Sequence, residues 1–153
     1  MKKKHGYTLI ELLTVFSIIA VITSITLASF SSIKSTQANS DAVDDFVSLL
    51  QQAKSSALSQ VKPSDCYNQT LGGYQVVITS TNMYELDYVC GSVQHTVTKH
   101  NLPSQVYFAN TSSSRIFFTV PGGTVSAPAT VTIISNGNNK NITVNSSGTI
   151  SEK

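Results

Sequence analysis

The sequence predicts an α+β fold, in which one long N-terminal α-helix lays its second half on an antiparallel β-sheet domain. Three observations predict it. An apolar run opens at Tyr7 and carries no charged side chain from Leu12 to Ile33. It passes without a stop signal into a stretch where Val43, Phe46, Val47, Leu50, Ala53, Ala57, Leu58 and Val61 recur at three- and four-residue spacing, the mark of an amphipathic helix. Beyond Pro63 the apolar period falls to two, turn residues punctuate the chain, and no second long helical pattern follows.

The N-terminal element comes first. Lys2, Lys3 and Lys4 form a short basic leader, followed by His5 and Gly6. The uncharged run behind them can cross a bilayer as a helix, because about 20 residues match the hydrocarbon thickness. Lysines on the leader side keep that end cytoplasmic, which places the C-terminal body outside the membrane. Glu11 interrupts the apolar run. An ionised carboxylate within a membrane helix costs roughly 2.5–3.5 kcal/mol on insertion scales, so it calls for a partner or a task. A cut after Gly6 would make Tyr7 the new N-terminus and set Glu11 one helical turn from the new amine, where the two charges can neutralise each other within or between chains. Two simpler origins for the run leave features unexplained. A secretory signal cut after Ala28 would have an overlong apolar core with a glutamate in it. A plain signal anchor gives Glu11 no role.

The helix is expected from Thr8 to Gln60. Asp41, Asp44, Asp45, Gln51, Gln52 and Ser55 fill the side opposite the apolar stripe, and Ser29 to Ser40 is its weakest helical stretch. Lys62-Pro63 ends it, since the residue before proline avoids the α region. A loop with Cys66 leads to a strand at Tyr74–Ser80 and a turn at Thr81-Asn82. Met83–Cys90 alternates, with Tyr84, Leu86, Tyr88 and Cys90 on one face and Glu85 and Asp87 on the other. Further strands are expected at Val93–Thr98, Gln105–Ala109, Arg115–Val120, Thr130–Ser135, Asn141–Asn145 and Thr149–Ser151. Pro121-Gly122-Gly123, Asn136-Gly137 and Ser147-Gly148 mark turns between them. The total is six to eight antiparallel strands. The chain divides into a leader (1–6), a transmembrane half-helix (7–33), an amphipathic half-helix (34–62) and a β-rich domain (63–153).

The stretch G-Y-T-L-I-E-L-L, behind lysines and ahead of a long apolar helix, resembles the class III signal of type IV pilins and type II secretion pseudopilins. The resemblance implies a pilin-like fold. It makes Gly6 the residue after which a prepilin peptidase cuts, Tyr7 the methylated N-terminus and Glu11 the carboxylate that guides assembly. Tyr7 stands where Phe is usual, and Ala28 where many members have a kinking proline. The implied partners are the peptidase, other pilin or pseudopilin subunits, a membrane assembly platform and the lipid bilayer. The implied location is a single-pass cytoplasmic-membrane protein with its C-terminal domain outside, moving into a pilus or pseudopilus at the cell surface.

The order of the body motifs is similar to the GspH/FimT group of minor pilins and minor pseudopilins. The helix end FVSLLQQAKSSALSQVKPSDC is followed by LGGYQVVI, FFTVPGGTV and ITVNSSGTI. Lys54 and Thr149 occupy positions where the group usually has arginine. In DNA-uptake members the basic C-terminal hairpin is implicated in DNA contact, so Thr149 after Gly148 weakens that reading.

Composition narrows the function classes. Of 153 residues only 12% are charged. Without the three leader lysines, seven basic residues face eight acids, so charge does not support nucleic acid as a partner. Lys99, Arg115 and Lys140 (with His100 nearby) are candidates for a weak ligand patch, set against a plain solvated surface. Cys66 and Cys90 are an even pair in a body placed outside the membrane, which favours one disulfide over two buried thiols. Cys90, His95 and His100 fit no zinc spacing. Asp41, Asp44 and Asp45 read as a solvated helix face, with calcium the lesser alternative. The chain shows no Ser-His-Asp spacing, HExxH, phosphate loop or paired-carboxylate motif, so no enzyme, metal or cofactor is expected. Two function classes stand: a structural subunit that polymerises through its N-terminal helix, and a pilus-associated module that holds DNA or another ligand.

Overall fold

The computed structural model describes residues 8–110, 112–135 and 137–153, with the side chains of 25–35 left aside. The leader and Tyr7 lie outside these residues. The chain divides into two units, Met1–Ser35 and Thr36–Lys153.

One helix, α1 (Leu9–Leu58), matches the expected element and continues through the Ser/Thr/Asn-rich stretch. It stops two residues before Gln60 because a different terminator acts ahead of Pro63. Gln60 adopts φ 50°, while the Gln60 N–H donates to Ala57 O and the Val61 N–H to Ser56 O. This is a Schellman closure, with a non-glycine residue in the left-handed position. A short 3₁₀ turn, Ser64–Cys66, follows.

Eight strands build the β domain: β1 (Leu71–Ser80), β2 (Met83–Cys90), β3 (Val93–Asn101), β4 (Val106–Phe108), β5 (Arg115–Thr119), β6 (Ala129–Ser135), β7 (Asn138–Val144) and β8 (Ile150–Glu152). All strand pairs are antiparallel. They form two four-stranded sheets, ordered β3-β2-β1-β5 and β4-β6-β7-β8. β2 has the expected bounds. β1 begins three residues earlier than expected, β3 runs three residues longer, and β7 starts at Asn138 rather than Asn141. Ser135 pairs with Asn138, closing the two-residue loop expected at Asn136-Gly137, in which Asn136 is outside the described residues.

The early start of β1 crosses Gly72-Gly73, which read from sequence as a loop. A Cβ on Gly73 would stand 2.2 Å from Phe118 O and 2.6 Å from the Phe117 ring. The bare glycine lets Phe117 lie over the strand, so packing on the neighbouring chain replaces the missing side chain.

The second half of α1 supplies Ala42, Val43, Phe46, Leu49, Leu50, Ala53 and Ala57 to the core. Phe46 meets Tyr84 of the first sheet at 5.2 Å and Phe108 of the second at 5.3 Å, both edge to face. One helical side chain thereby joins both sheets, in the geometry that aromatic quadrupoles favour. Two residues expected on this face differ. Leu58 and Val61 are 49% and 53% exposed, since the helix closes at Leu58 and Val61 is already past it. Leu58 still rests against Gly123, where a Cβ would come within 2.9 Å of it.

Candidate functional site

The described chain enters α1 through Thr8. The Glu11 N–H donates to Thr8 Oγ1 at 3.3 Å, and the Thr8 N–H donates to Glu11 Oε2 at 3.5 Å. This is a reciprocal capping box, which satisfies two of the helix's otherwise open N–H groups. The signal T-x-x-E ahead of an apolar run was present in the sequence at Thr8–Glu11, and it gives the carboxylate a local role that the assembly argument did not consider.

From this cap to Ser24 the helix has no polar face. Leu9, Ile10, Leu12, Leu13, Val15, Phe16, Ile18, Ile19, Val21 and Ile22 are between 51 and 83% exposed. The hydroxyls among them turn back to the helix: Thr14 donates to Glu11 O, Ser17 to Leu13 O, Thr23 to Ile19 O and Ser24 to Val21 O. A helix that is apolar all round, with its hydroxyls satisfied internally, is suited to apolar surroundings. Among the described residues no helix is long and apolar enough to cross a membrane. The segment assigned to crossing from sequence, 7–33, includes Tyr7 and side chains outside that description.

Cys66 and Cys90 form a disulfide with a Cα–Cα distance of 5.5 Å, and both are fully buried. The bond ties the 3₁₀ turn to the end of β2. Tyr88 adds a second tie there, its hydroxyl donating to Asp65 Oδ2 at 3.0 Å. Tyr74 donates to Val61 O at 2.7 Å. Tyr84 donates to Asp45 Oδ2, and burial, helped by this carboxylate, pushes the phenol well above the ordinary tyrosine range. His100 stacks on Tyr84 at 5.3 Å with its Nδ1 3.3 Å from the same Asp45 oxygen. His95 stacks on Tyr88 at 5.1 Å. The pairings Tyr84↔His100 and Tyr88↔His95 across β2 and β3 set up these two matching stacks. Their signal, Tyr at i and i+4 on one strand facing two histidines on the next, depends on register and was missed in the sequence.

The three candidate patch residues are not brought together. Lys99 lies on β3 and bridges Glu85 at 3.3 Å, and Lys140 lies on β7 of the other sheet and bridges Glu152 at 2.8 Å. The Glu152 bond, with a smaller contribution from Asp44, raises the Lys140 pKa above the ordinary lysine value. Arg115 stands on β5, at the far edge of the first sheet from Lys99. Among the described residues no group of three or more metal-ligating side chains occurs. Asp45 is engaged by Tyr84 and His100, and Asp41 accepts from Gln37 at 2.8 Å.

Lys54 and Thr149, the two residues that depart from the usual arginines, line one cavity of about 350 Å³ with Gln51, Ser55, Leu58 and Ile150. Gly148, at φ 73°, closes its wall: a Cβ there would stand 2.2 Å from Gly123 O and 3.5 Å from Lys54 Cε. The last hairpin therefore meets the Gly123 turn backbone to backbone, an approach that only glycine permits, with Lys54 of the helix in ordinary contact beside it.

The family model for type II transport protein GspH matches residues 42–148. That span covers the packed half of α1 and almost all of the β domain. The prokaryotic N-terminal methylation motif matches residues 1–27. Nothing among the curated proteins or the solved structures matches this chain.

Proposed function

The chain belongs to the GspH family of type II transport proteins, and we propose that it acts as a minor pilin-like subunit, cut after Gly6 by a prepilin peptidase and assembled through its N-terminal helix. Such families are pilin and pseudopilin subunits, structural rather than catalytic, that associate with sister subunits. One observation carries the proposal. The start of α1 exposes ten large apolar side chains behind a Thr8–Glu11 cap, while the hydrophobic core lies in the other unit of the chain. Surface of that kind requires a cover, and a bilayer followed by a bundle of equivalent helices is a cover of the right chemistry.

In this scheme the 7–33 segment first spans the cytoplasmic membrane, with the lysine leader inside and the β domain outside. The Cys66–Cys90 bond suits that oxidising side. Cleavage after Gly6 would create an amine at Tyr7, one turn from Glu11, and methylation would complete the mature end. In a packed assembly the amine of one subunit and Glu11 of its neighbour neutralise each other, removing the cost of either charge alone in an apolar medium. The alternative of a DNA-holding subunit has less support, since Lys99 and Lys140 are already engaged by glutamates.

Intact-mass measurement of the protein from membranes of cells with an active peptidase tests the processing step. The expected mass begins at Tyr7 and carries one added methyl group. A chain that retains Lys2 to Gly6 would remove the basis of the scheme.

A further inference from the structure

On the face of the first sheet turned away from Phe46 and Tyr84, two polar side chains are buried side by side. Gln75 on β1 and Asp87 on β2 are register partners, 1% and 0% exposed. Alternation along β2 puts Asp87 on the expected face, opposite Tyr84, Leu86 and Tyr88, and there it is buried. Gln75 Nε2 donates to Asp87 Oδ2 at 3.3 Å, and Gln94 Nε2 from β3 donates to the same oxygen at 2.7 Å. The other oxygen of each group, Asp87 Oδ1 and Gln75 Oε1, has no hydrogen-bond partner.

Two orphaned acceptors on adjoining buried groups are a costly arrangement, because each has lost water without gaining a donor. A carboxyl group and a primary amide can pair in a ring, with the amide N–H donating to one carboxyl oxygen and the acid O–H donating to the amide oxygen. Half of that ring is in place at Gln75 and Asp87, and the two unpartnered atoms belong to the other half. A single proton supplies it.

We propose that Asp87 is a proton-binding site: in the folded domain it is un-ionised at pH values where a solvated carboxyl is fully ionised, and its Oδ1–H donates to Gln75 Oε1. A metal ion is a poorer occupant. Calcium takes six to eight oxygen ligands, whereas a proton requires one donor oxygen and one acceptor. The other charged groups on this face are Glu85, Lys99 and Arg115. Glu85 and Lys99 bridge each other, and β1 contributes no charge to the face. His95 and His100 project from the opposite face with Tyr88 and Tyr84. Burial acts to raise the Asp87 pKa, Thr96, Gln75 and Gln94 act to lower it, Glu85 adds to the rise, and the result is raised.

The proton has a structural consequence. β3 is an edge strand, paired only with β2 and solvent-exposed along most of its nine residues. The pairing shifts register between Leu86 and Asp87, leaving Val97 as an extra residue on β3. Asp87 sits at this bulge and takes Gln94 from the edge strand and Gln75 from the sheet interior. The protonated pair therefore joins β1 to β2 beside the point where the ladder to the edge strand is interrupted. Because the folded-state pKa is raised, the contribution is fully present below the ordinary carboxylate pKa and is lost as pH rises through the folded value.

The test compares the full chain in zwitterionic detergent with Asp87→Asn, whose side-chain NH₂ can replace the acid O–H. Difference infrared spectra at about pH 6, with carbon-13-labelled aspartate for assignment, are expected to show an un-ionised carboxylic-acid carbonyl in the wild type that Asp87→Asn lacks. The Tm of Asp87→Asn is expected to equal or exceed that of the wild type near neutral pH. On raising the pH from about 5 to about 9, the Tm of the wild type should fall by several degrees more than that of the variant. Amide exchange where β1 and β2 pair at Gln75 and Asp87, compared at each pH with the variant, should rise in the wild type over the same range. A carboxylate band alone in the wild type would overturn the proposal. So would an Asp87→Asn chain that fails to fold, or one that has the same pH slope at lower Tm.

Discussion

The Tyr84 hydroxyl donates to Asp45, so the second strand is fastened to the helix by a polar bond at the rim of an aromatic cluster. Tyr84 is 1% exposed, whereas the Asp45 side chain is 55% exposed, so the bond links a core ring to a solvated carboxylate. Tyr84→Phe keeps the ring contacts with Phe46 and Phe108 and removes only the donor. Its expected cost is about 1 kcal/mol, below the roughly 1.5–3 kcal/mol usual for a bond to a charged group, because the half-exposed Asp45 regains water. Tyr84→Ala removes the ring as well and is expected to cost about 4 kcal/mol. Urea midpoints of the two variants, read by tyrosine fluorescence in a chain without tryptophan, check both values.

Two glycines with left-handed backbones offer a comparison. Gly137 has φ 79° and nothing within 4 Å of an added Cβ, while Gly148 has φ 73° and Gly123 O at 2.2 Å. Gly137→Ala is expected to cost about 1 kcal/mol, from the left-handed penalty alone. Gly148→Ala adds a backbone collision and is expected to cost about 3 kcal/mol. Equal losses in the same denaturation assay would show that the contact between the last hairpin and the Gly123 turn is looser than described.

The Cys66–Cys90 bond closes a loop of 24-residue sequence separation. On the chain-entropy account, its removal costs about 3 kcal/mol. A Cys66→Ser, Cys90→Ser double variant should therefore unfold at a clearly lower urea midpoint than the oxidised parent. Adding reductant should leave the variant's midpoint unchanged and lower that of the parent toward it.

Elements whose pattern is local were legible in the sequence. The helix follows from a continuous apolar run that becomes a three-four stripe, and β2 follows from the alternation of Tyr84, Leu86, Tyr88 and Cys90. The division into two sheets was not legible, because it depends on long-range pairing: β5 joins β1, and β4 joins β6. The engagement of Lys99 by Glu85 depends on the same register. Gly72-Gly73 read as a loop because their place in a strand is secured by Phe117, more than forty residues away. The burial of Asp87 was not legible, because alternation gives the face but not what covers it. At the N-terminus, Glu11 stood out as a carboxylate in an apolar run, the roles of Gly6 and Tyr7 are those that the pilin resemblance implies, and the Thr8 cap was a legible T-x-x-E signal.

Assembly through Glu11 is the central claim, and its most direct measurement is the ratio of assembled to membrane-pool subunit for Glu11→Ala. A Glu11→Gln variant should accompany it, since the amide can still accept from the Thr8 N–H and so retains the cap without the charge. Both variants are expected to insert, to be cut after Gly6 and to keep the urea midpoint of the parent, because among the described residues none of the hydrophobic core lies in the Met1–Ser35 unit. If the carboxylate's charge is what neutralises the neighbouring amine, both should be depleted from the assembled fraction by about tenfold or more, the effect of roughly 1.4 kcal/mol or more per subunit. Normal incorporation of both would contradict the assembly role. Normal incorporation of Glu11→Gln with loss of Glu11→Ala would assign Glu11 to the helix cap instead.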